Sequence, residues 1–198
     1  MESCIKIIRK LPVSQMEKNL TAISTLIYDD DDVLNNFLQV VDNRHDVCEE
    51  NNFIKSEHNR DGDSYRSPIT NKYYPPIEDG RMPSKELRVL EEKLNKIFGL
   101  YTNAYYASTN SQGLCSCYCW DLGEGVEDGF AVAVLIRHAL DGKSGIESGL
   151  WESSNVVDVT FSNGKCHYKL TTSILLKLTF SQSCGKGNIS GTIAEQVF

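Results

Sequence analysis

The chain has 198 residues, a 40% apolar and 24% charged composition and a formal net charge of -7. That is enough residues for one sizeable core or two small ones, with the balance of an ordinary globular protein rather than a disordered or collagen-like one. The acidic balance disfavours nonspecific nucleic-acid binding and leans toward basic partners, and no run approaches the length of a membrane-spanning helix.

The N-terminus, "MESCIKIIRKLP", lacks the continuous apolar core and small-residue cleavage site of a signal peptide, so a cytoplasmic location is expected. The seven cysteines are odd in number and form no CxxC pair. In a reducing compartment they are expected as free thiols.

The first 45 residues predict a small helical bundle. Ser14-Gln15-Met16-Glu17 has the pattern of a capping box, and Met16, Leu20, Ile23 and Ile27 then fall on one helical stripe. The acidic run Asp29 to Asp32 ends that helix and favours the start of another, in which Leu34, Phe37, Leu38 and Val41 share a face. A short "CIKIIRKL" segment precedes both.

Residues 46–83 are polar, turn-rich and aromatic, and hold four of the five prolines. Helix and long strand are both disfavoured there. A loop of this length is expected to be pinned to a partner or to its own domain. Within it, "NRDGDSYRSP" (59–68) sets Asn59, Asp61 and Asp63 at alternate positions around Gly62, the way a calcium loop begins. An EF-hand loop starting at Asn59 would then need glycine, an apolar residue and glutamate where this chain has Ser64, Arg66 and Thr70. Arg60 and Arg66 add positive charge, and Pro68 interrupts the helix that should follow. A metal-binding protein is therefore a minor alternative, and a charged turn is the plainer reading.

From 84 to 106 a long helix is predicted, with Leu87, Leu90, Leu94, Ile97 and Tyr101 as its apolar stripe packed on a sheet. The region 115–198 reads as five antiparallel strands in meander order. It opens on "CSCYC", where Cys115, Cys117 and Cys119 share one face, with about 7 Å between successive sulfurs. That spacing is too wide for one zinc ion, and the three read as small buried side chains. His45, Cys48 and His58 offer no matched second pair of ligands. "FAVAVLIRH" (130–138) is apolar enough to be covered on both faces, and Asn163-Gly164 marks a type I′ hairpin. The strand from Cys166 to Phe180 would span about 50 Å, long for a small domain. A final strand is predicted from Ile189 to Val197.

No nucleophile elbow, Walker loop or dinucleotide fingerprint is present. "CGKG" at 184–187 lies between two strands, where a tight turn explains it better than a phosphate site. The long two-faced strand and the pinned loop point to assembly surfaces, so no enzyme and no cofactor are expected.

The block "NRDGDSYRSP" followed by "TNKYYPPIEDGRMPS" closely resembles the beta subunit of the F-actin-capping protein family. The likeness continues through "RKLP" and "MEKNL" near the start, "YCWDL" (118–122), "GFAVAVLI" (129–136), "GLWESSNVVDV" (149–159) and "HYKLTTSILLKL" (167–178), in the same order.

The resemblance implies an α+β fold. It consists of an N-terminal helical bundle (1–45), a loop or docking region (46–83), one long helix (84–106) and a five-stranded antiparallel meander (115–198). These form one integrated domain whose sheet joins that of an alpha-subunit partner. It also implies a noncatalytic function in the cytoplasm and cytoskeleton: a heterodimer that binds the barbed end of an actin filament, without calcium, and blocks both addition and loss of subunits. Asn59, Arg60, Asp61, Gly62, Asp63, Ser64, Tyr65 and Arg66 are then a docking-loop signature.

By motif position Lys10, Asp42 and Arg60 match the family's contacts for basic regulator peptides. Lys10 stands where arginine is usual, and Glu57-His58 replace an aspartate-tyrosine pair. Each of these charges also reads as ordinary solvated charge. Relative to the family pattern, the C-terminal long helix and the amphipathic tentacle are missing after "ISGTIAEQVF". The alternative function is accordingly a shortened binding module that dimerises but does not cap.

Overall fold

The computed structural model describes residues 16–27, 33, 45–106, 113–123, 126–141, 146–180 and 186–197. The chain divides into two units, 1–44 and 45–198. In the first, helix α1 (Met16–Leu26) follows the stripe through Ile23. The hydroxyls of Ser24 and Thr25 both donate to the Thr21 carbonyl, so these polar side chains are satisfied within the helix. The capping serine Ser14, the "CIKIIRKL" segment and the Leu34–Val41 stripe lie outside the described residues.

The second unit is α+β with antiparallel sheets. Its large sheet consists of β6 (Leu114–Asp121), β7 (Phe130–Asp141), β8 (Ile146–Ser162), β9 (Lys165–Phe180) and β10 (Lys186–Val197). They pair in the order β10-β9-β8-β7-β6, each antiparallel to its neighbour. Between β8 and β9 the turn residues Asn163 and Gly164 have φ of 52° and 71°, the two positive angles that a type I′ turn requires.

Where the sequence suggested only loop, five very short strands precede the long helix. They are β1 (Asp46–Cys48) with β2 (Phe53–Lys55), then β3 (Arg60–Asp61), β4 (Ser64–Arg66) and β5 (Tyr73–Tyr74) in a second small sheet. Strands this short fit a proline-rich stretch because few ladder positions need an N–H. The β3–β4 turn has Gly62 first, at φ +58°, with open space around the position of a Cβ. Glycine there meets the backbone sign of a type II′ hairpin.

Helix α2 (Lys85–Tyr106) packs along β6. Its buried face differs from the expected stripe. Leu87, Leu90, Leu94 and Phe98 line the core, but Ile97 is 59% and Tyr101 52% exposed. The inward positions continue instead through Glu91, Asn95, Thr102 and Tyr106, because Glu91 and Asn95 bond to the backbone of β6 and turn the helix by part of a residue step. A strict 3-4 count also drifts on a straight helix of 3.6 residues per turn.

The core has two halves, one on each face of β6 and β7. Cys117, Cys119, Val132, Val134 and Ile136 face Leu87 of the helix. On the opposite face Tyr118, Ala133 and Leu135 meet Ile54 of β2. Residues 131–136 are therefore all buried, which accounts for the unbroken apolar run.

Ile54 is held at both backbone groups by side chains of β6. Its N–H donates to Ser116 Oγ at 2.9 Å, and its carbonyl accepts from Tyr118 Oη at 2.6 Å. Burial pushes the Tyr118 phenol well above its ordinary pKa, so it stays protonated and donating. Replacing Tyr118 with Phe leaves the Ile54 carbonyl buried without its partner, and unfolding free energy falls by about 1–3 kcal/mol. The urea midpoint shifts down at an unchanged slope.

Candidate functional site

The signature block 59–66 is built into the framework residue by residue. Asn59 is buried, its Oδ1 accepting from the Ser56 N–H (2.9 Å) and its Nδ2 donating to the Arg66 carbonyl (2.8 Å). It thereby closes the short 3-10 turn Glu57–Asn59 as a capping box with Ser56. Arg60 donates from Nε to the Gly62 carbonyl at 2.8 Å and from Nη1 to both oxygens of Glu57 at 3.1 and 3.0 Å. Asp61 accepts the Arg81 N–H at 2.9 Å, while Ser64 is buried and the ring of Tyr65 lies 5.6 Å from Lys55 Nζ.

Two of the oxygens that suggested a calcium loop are thus engaged by amides from separate segments. Asn59 meets Ser56, and Asp61 meets Arg81. Asp63 is exposed on the turn. Among the described residues no three His, Cys, Asp or Glu side chains are grouped to hold a metal ion.

Arg66 is the inward end of the block. It is 3% exposed, and its Nη1 and Nη2 each lie 2.7 Å from one oxygen of the fully buried Glu91. Burial works against a charged guanidinium, and the paired Glu91 carboxylate outweighs it, so the Arg66 pKa is raised. Glu91 also accepts the Cys119 N–H at 2.8 Å and an Nη1–H of Arg88. Arg88 in turn donates to the carbonyls of Pro68 (2.7 Å) and Ile69 (3.1 Å). Asn71, at φ 57°, offers its Oδ1 to Arg66 Nη1 at 2.7 Å. One carboxylate therefore ties loop, helix and sheet together.

The thiols of β6 depart from the expected spacing. Cys115 and Cys117 have their sulfurs 3.9 Å apart rather than about 7 Å, because the side chains lean toward each other from alternate positions. The hydrogen bond with Cys115, together with burial, raises the Cys117 pKa, and burial pushes the Cys119 thiol up to about 12. Neither is a reactive thiolate near neutral pH. Cys48, Cys115, Cys117, Cys119 and Cys166 are all free.

Two half-buried histidines border the block. His45 Nε2 lies 2.7 Å from Ser154 Oγ, the His45 backbone N–H donates to Glu152 Oε2 (3.3 Å), and Arg137 Nη1 donates to the His45 carbonyl (2.6 Å). His58 stacks on Trp120 with ring centroids 5.0 Å apart. Burial lowers the pKa of each to about 4, helped at His45 by Arg137 and at His58 by His45.

Of the three positions expected to meet a regulator peptide, Lys10 and Asp42 lie outside the described residues, and Arg60 is paired with Glu57. Glu91, Arg88, Asn95, Ser116 and Tyr118 carry the architecture without having been singled out in the sequence. Glu91 and Asn95 did leave a trace there. They are polar residues beside Leu90 and Leu94, on the face a helix would bury.

This constellation fixes backbone to backbone through side chains, and it defines a type of framework: an α+β module whose charged loop is a brace. The F-actin capping protein beta-subunit family model matches residues 1–198. An F-actin-capping protein subunit beta from Drosophila melanogaster is 40% identical over 200 residues, covering 99% of this chain and 69% of the relative. Those from Dictyostelium discoideum and Arabidopsis thaliana are 36% and 39% identical, covering 99% and 100% of this chain and 71% and 77% of the relatives. The chain belongs to the F-actin capping protein beta-subunit family.

Two outcomes test this construction. Glu91→Leu leaves Arg66 buried without a counter-charge and lowers unfolding free energy by about 3–5 kcal/mol, whereas Arg66→Met with Glu91→Leu recovers part of the loss. Urea unfolding of the single and double variants reads both. The histidines give a pH dependence. Their folded pKa values of about 4 lie below the unfolded 6.5, so their contribution is complete above pH 6.5 and is lost as pH falls toward 4. In that window unfolding takes up nearly two protons, and stability drops by about 2 kcal/mol per pH unit at the steepest. His58→Phe halves the slope, measured as the urea midpoint between pH 7 and pH 5.

Proposed function

We propose that this chain is the beta subunit of a heterodimer that binds the barbed end of actin filaments and blocks both addition and loss of subunits, independently of calcium. The observation that carries this reading is the family match across residues 1–198, with curated relatives from an insect, an amoeba and a plant that all bear the capping-subunit name. In this reading the large sheet is extended by the sheet of an alpha subunit, and the brace around Glu91 keeps the sheet, the helix and the 59–66 block in one fixed relation for that assembly. It acts in the cytoplasm, at the actin cytoskeleton.

The block 59–66 then serves as a docking segment whose inner half, Asn59 and Arg66, is structural and whose outer half is available to partners. Arg60, together with Lys10 and Asp42, belongs to the surface offered to basic regulator peptides, with the Glu57 carboxylate as the nearest negative charge to Arg60. No helix among the described residues is long and apolar enough to cross a membrane.

The test is barbed-end elongation from actin seeds, with the chain co-purified with an alpha subunit and calcium either present or chelated. Elongation is expected to stop at low nanomolar heterodimer in both conditions. A stable heterodimer that leaves elongation unchanged would replace capping with a dimerising binding module, and failure to form the heterodimer would remove the pairing itself.

A further inference from the structure

A sheet presents unpaired backbone groups at both terminal strands, and each such edge is a template for another chain. Here the terminal strands are β6 and β10. At β6 outward groups of Cys117, Cys119 and Asp121 are occupied by side chains. The carboxamide of Asn95 accepts the Cys117 N–H at 2.9 Å and donates to the Cys117 carbonyl at 2.8 Å. A neighbouring strand would offer that same donor and acceptor to one residue of an antiparallel ladder.

The second N–H of the Asn95 amide donates to the Glu91 carbonyl one turn back, at 2.8 Å, so the group is held from both sides. Two residues along β6, the Cys119 N–H is taken by Glu91 Oε2. Two further on, the Asp121 carbonyl accepts from Arg81 Nη2 at 3.4 Å. Residues 117, 119 and 121 have the period of two at which one edge of a strand points outward.

We propose that Asn95, with Glu91, is a plug that stands in for a missing strand, so that β6 is closed to intermolecular pairing. Asparagine is a poor residue for the middle of a helix, less favourable than alanine by some tenths of a kcal/mol. Its placement among Leu90, Leu94 and Phe98 serves the β6 backbone at that cost. The partner excluded is a second β6, whose outward groups would pair with these antiparallel and isologously. Which residues guard the closed edge is a separate matter from capping. It is read by association state, while capping is read by filament elongation.

The experiment compares the 198-residue chain with its Asn95→Leu variant by sedimentation velocity over about a hundredfold range of concentration. Both are taken in the same state, alone or with an alpha subunit. Any pairing at another edge is common to both, so the difference isolates β6. Asn95→Leu is expected to double in mass at least tenfold more readily than the wild type, with concentration-dependent slowing of hydrogen exchange at the Cys117 amide.

A variant with wild-type circular dichroism that sediments as the wild type at every concentration would overturn the proposal, since the body of helix α2 would then close the edge unaided. Should the leucine variant not fold, Asn95→Ser, too short to reach Cys117, is read by the same two outcomes.

Discussion

Glu91 is the constraint on which the rest of the second unit rests. It has no exposure to solvent, and its two oxygens receive Arg66, Arg88 and the Cys119 N–H. A carboxylate in that position is costly to desolvate, and the cost is offset only when every partner is in place. The partners come from β4, from α2 itself and from β6, so the three elements are correct together or not at all. Arg88 passes the constraint on to the Pro68 and Ile69 carbonyls, and Asn71 completes the cradle of Arg66.

Strand β6 divides its residues between two clients. Its odd positions, Cys115, Cys117 and Cys119, turn toward α2, while Ser116, Tyr118 and Trp120 turn toward the 45–60 segment. Small thiols suit the first face because a helix lies close above them. Hydroxyls suit the second because they must reach the backbone of Ile54. A slip of one residue would exchange the two sets and leave both faces without partners.

What was legible in the sequence follows the range of the interactions. The α+β class, the long helix and the Asn163-Gly164 hairpin depend on periodicity and turn chemistry within a few residues, and the structure places them where that chemistry predicts. The outward turn of Ile97 and Tyr101 was not legible. It depends on Asn95 meeting Cys117 and Glu91 meeting Arg66, contacts made across 22 and 25 residues. In the loop, Asn59 and Asp61 drew attention as oxygen donors for a cation. Their oxygens instead accept from Ser56 and Arg81, and nothing local distinguishes those two uses.

The brace also changes how the loop can move. A proline-rich, turn-filled stretch such as 60–82 is ordinarily the part of a protein that opens first, in excursions costing little free energy. Here any opening that draws Arg66 away takes one of two guanidinium partners from the buried Glu91, so the excursion is costly. The loop is therefore joined to the same cooperative unit as the helix and β6. The amides around Arg66 are accordingly tied to the opening of the helix and β6 and exchange with them, not as a free loop would, and a protease would cut beside Arg66 only once that unit had opened.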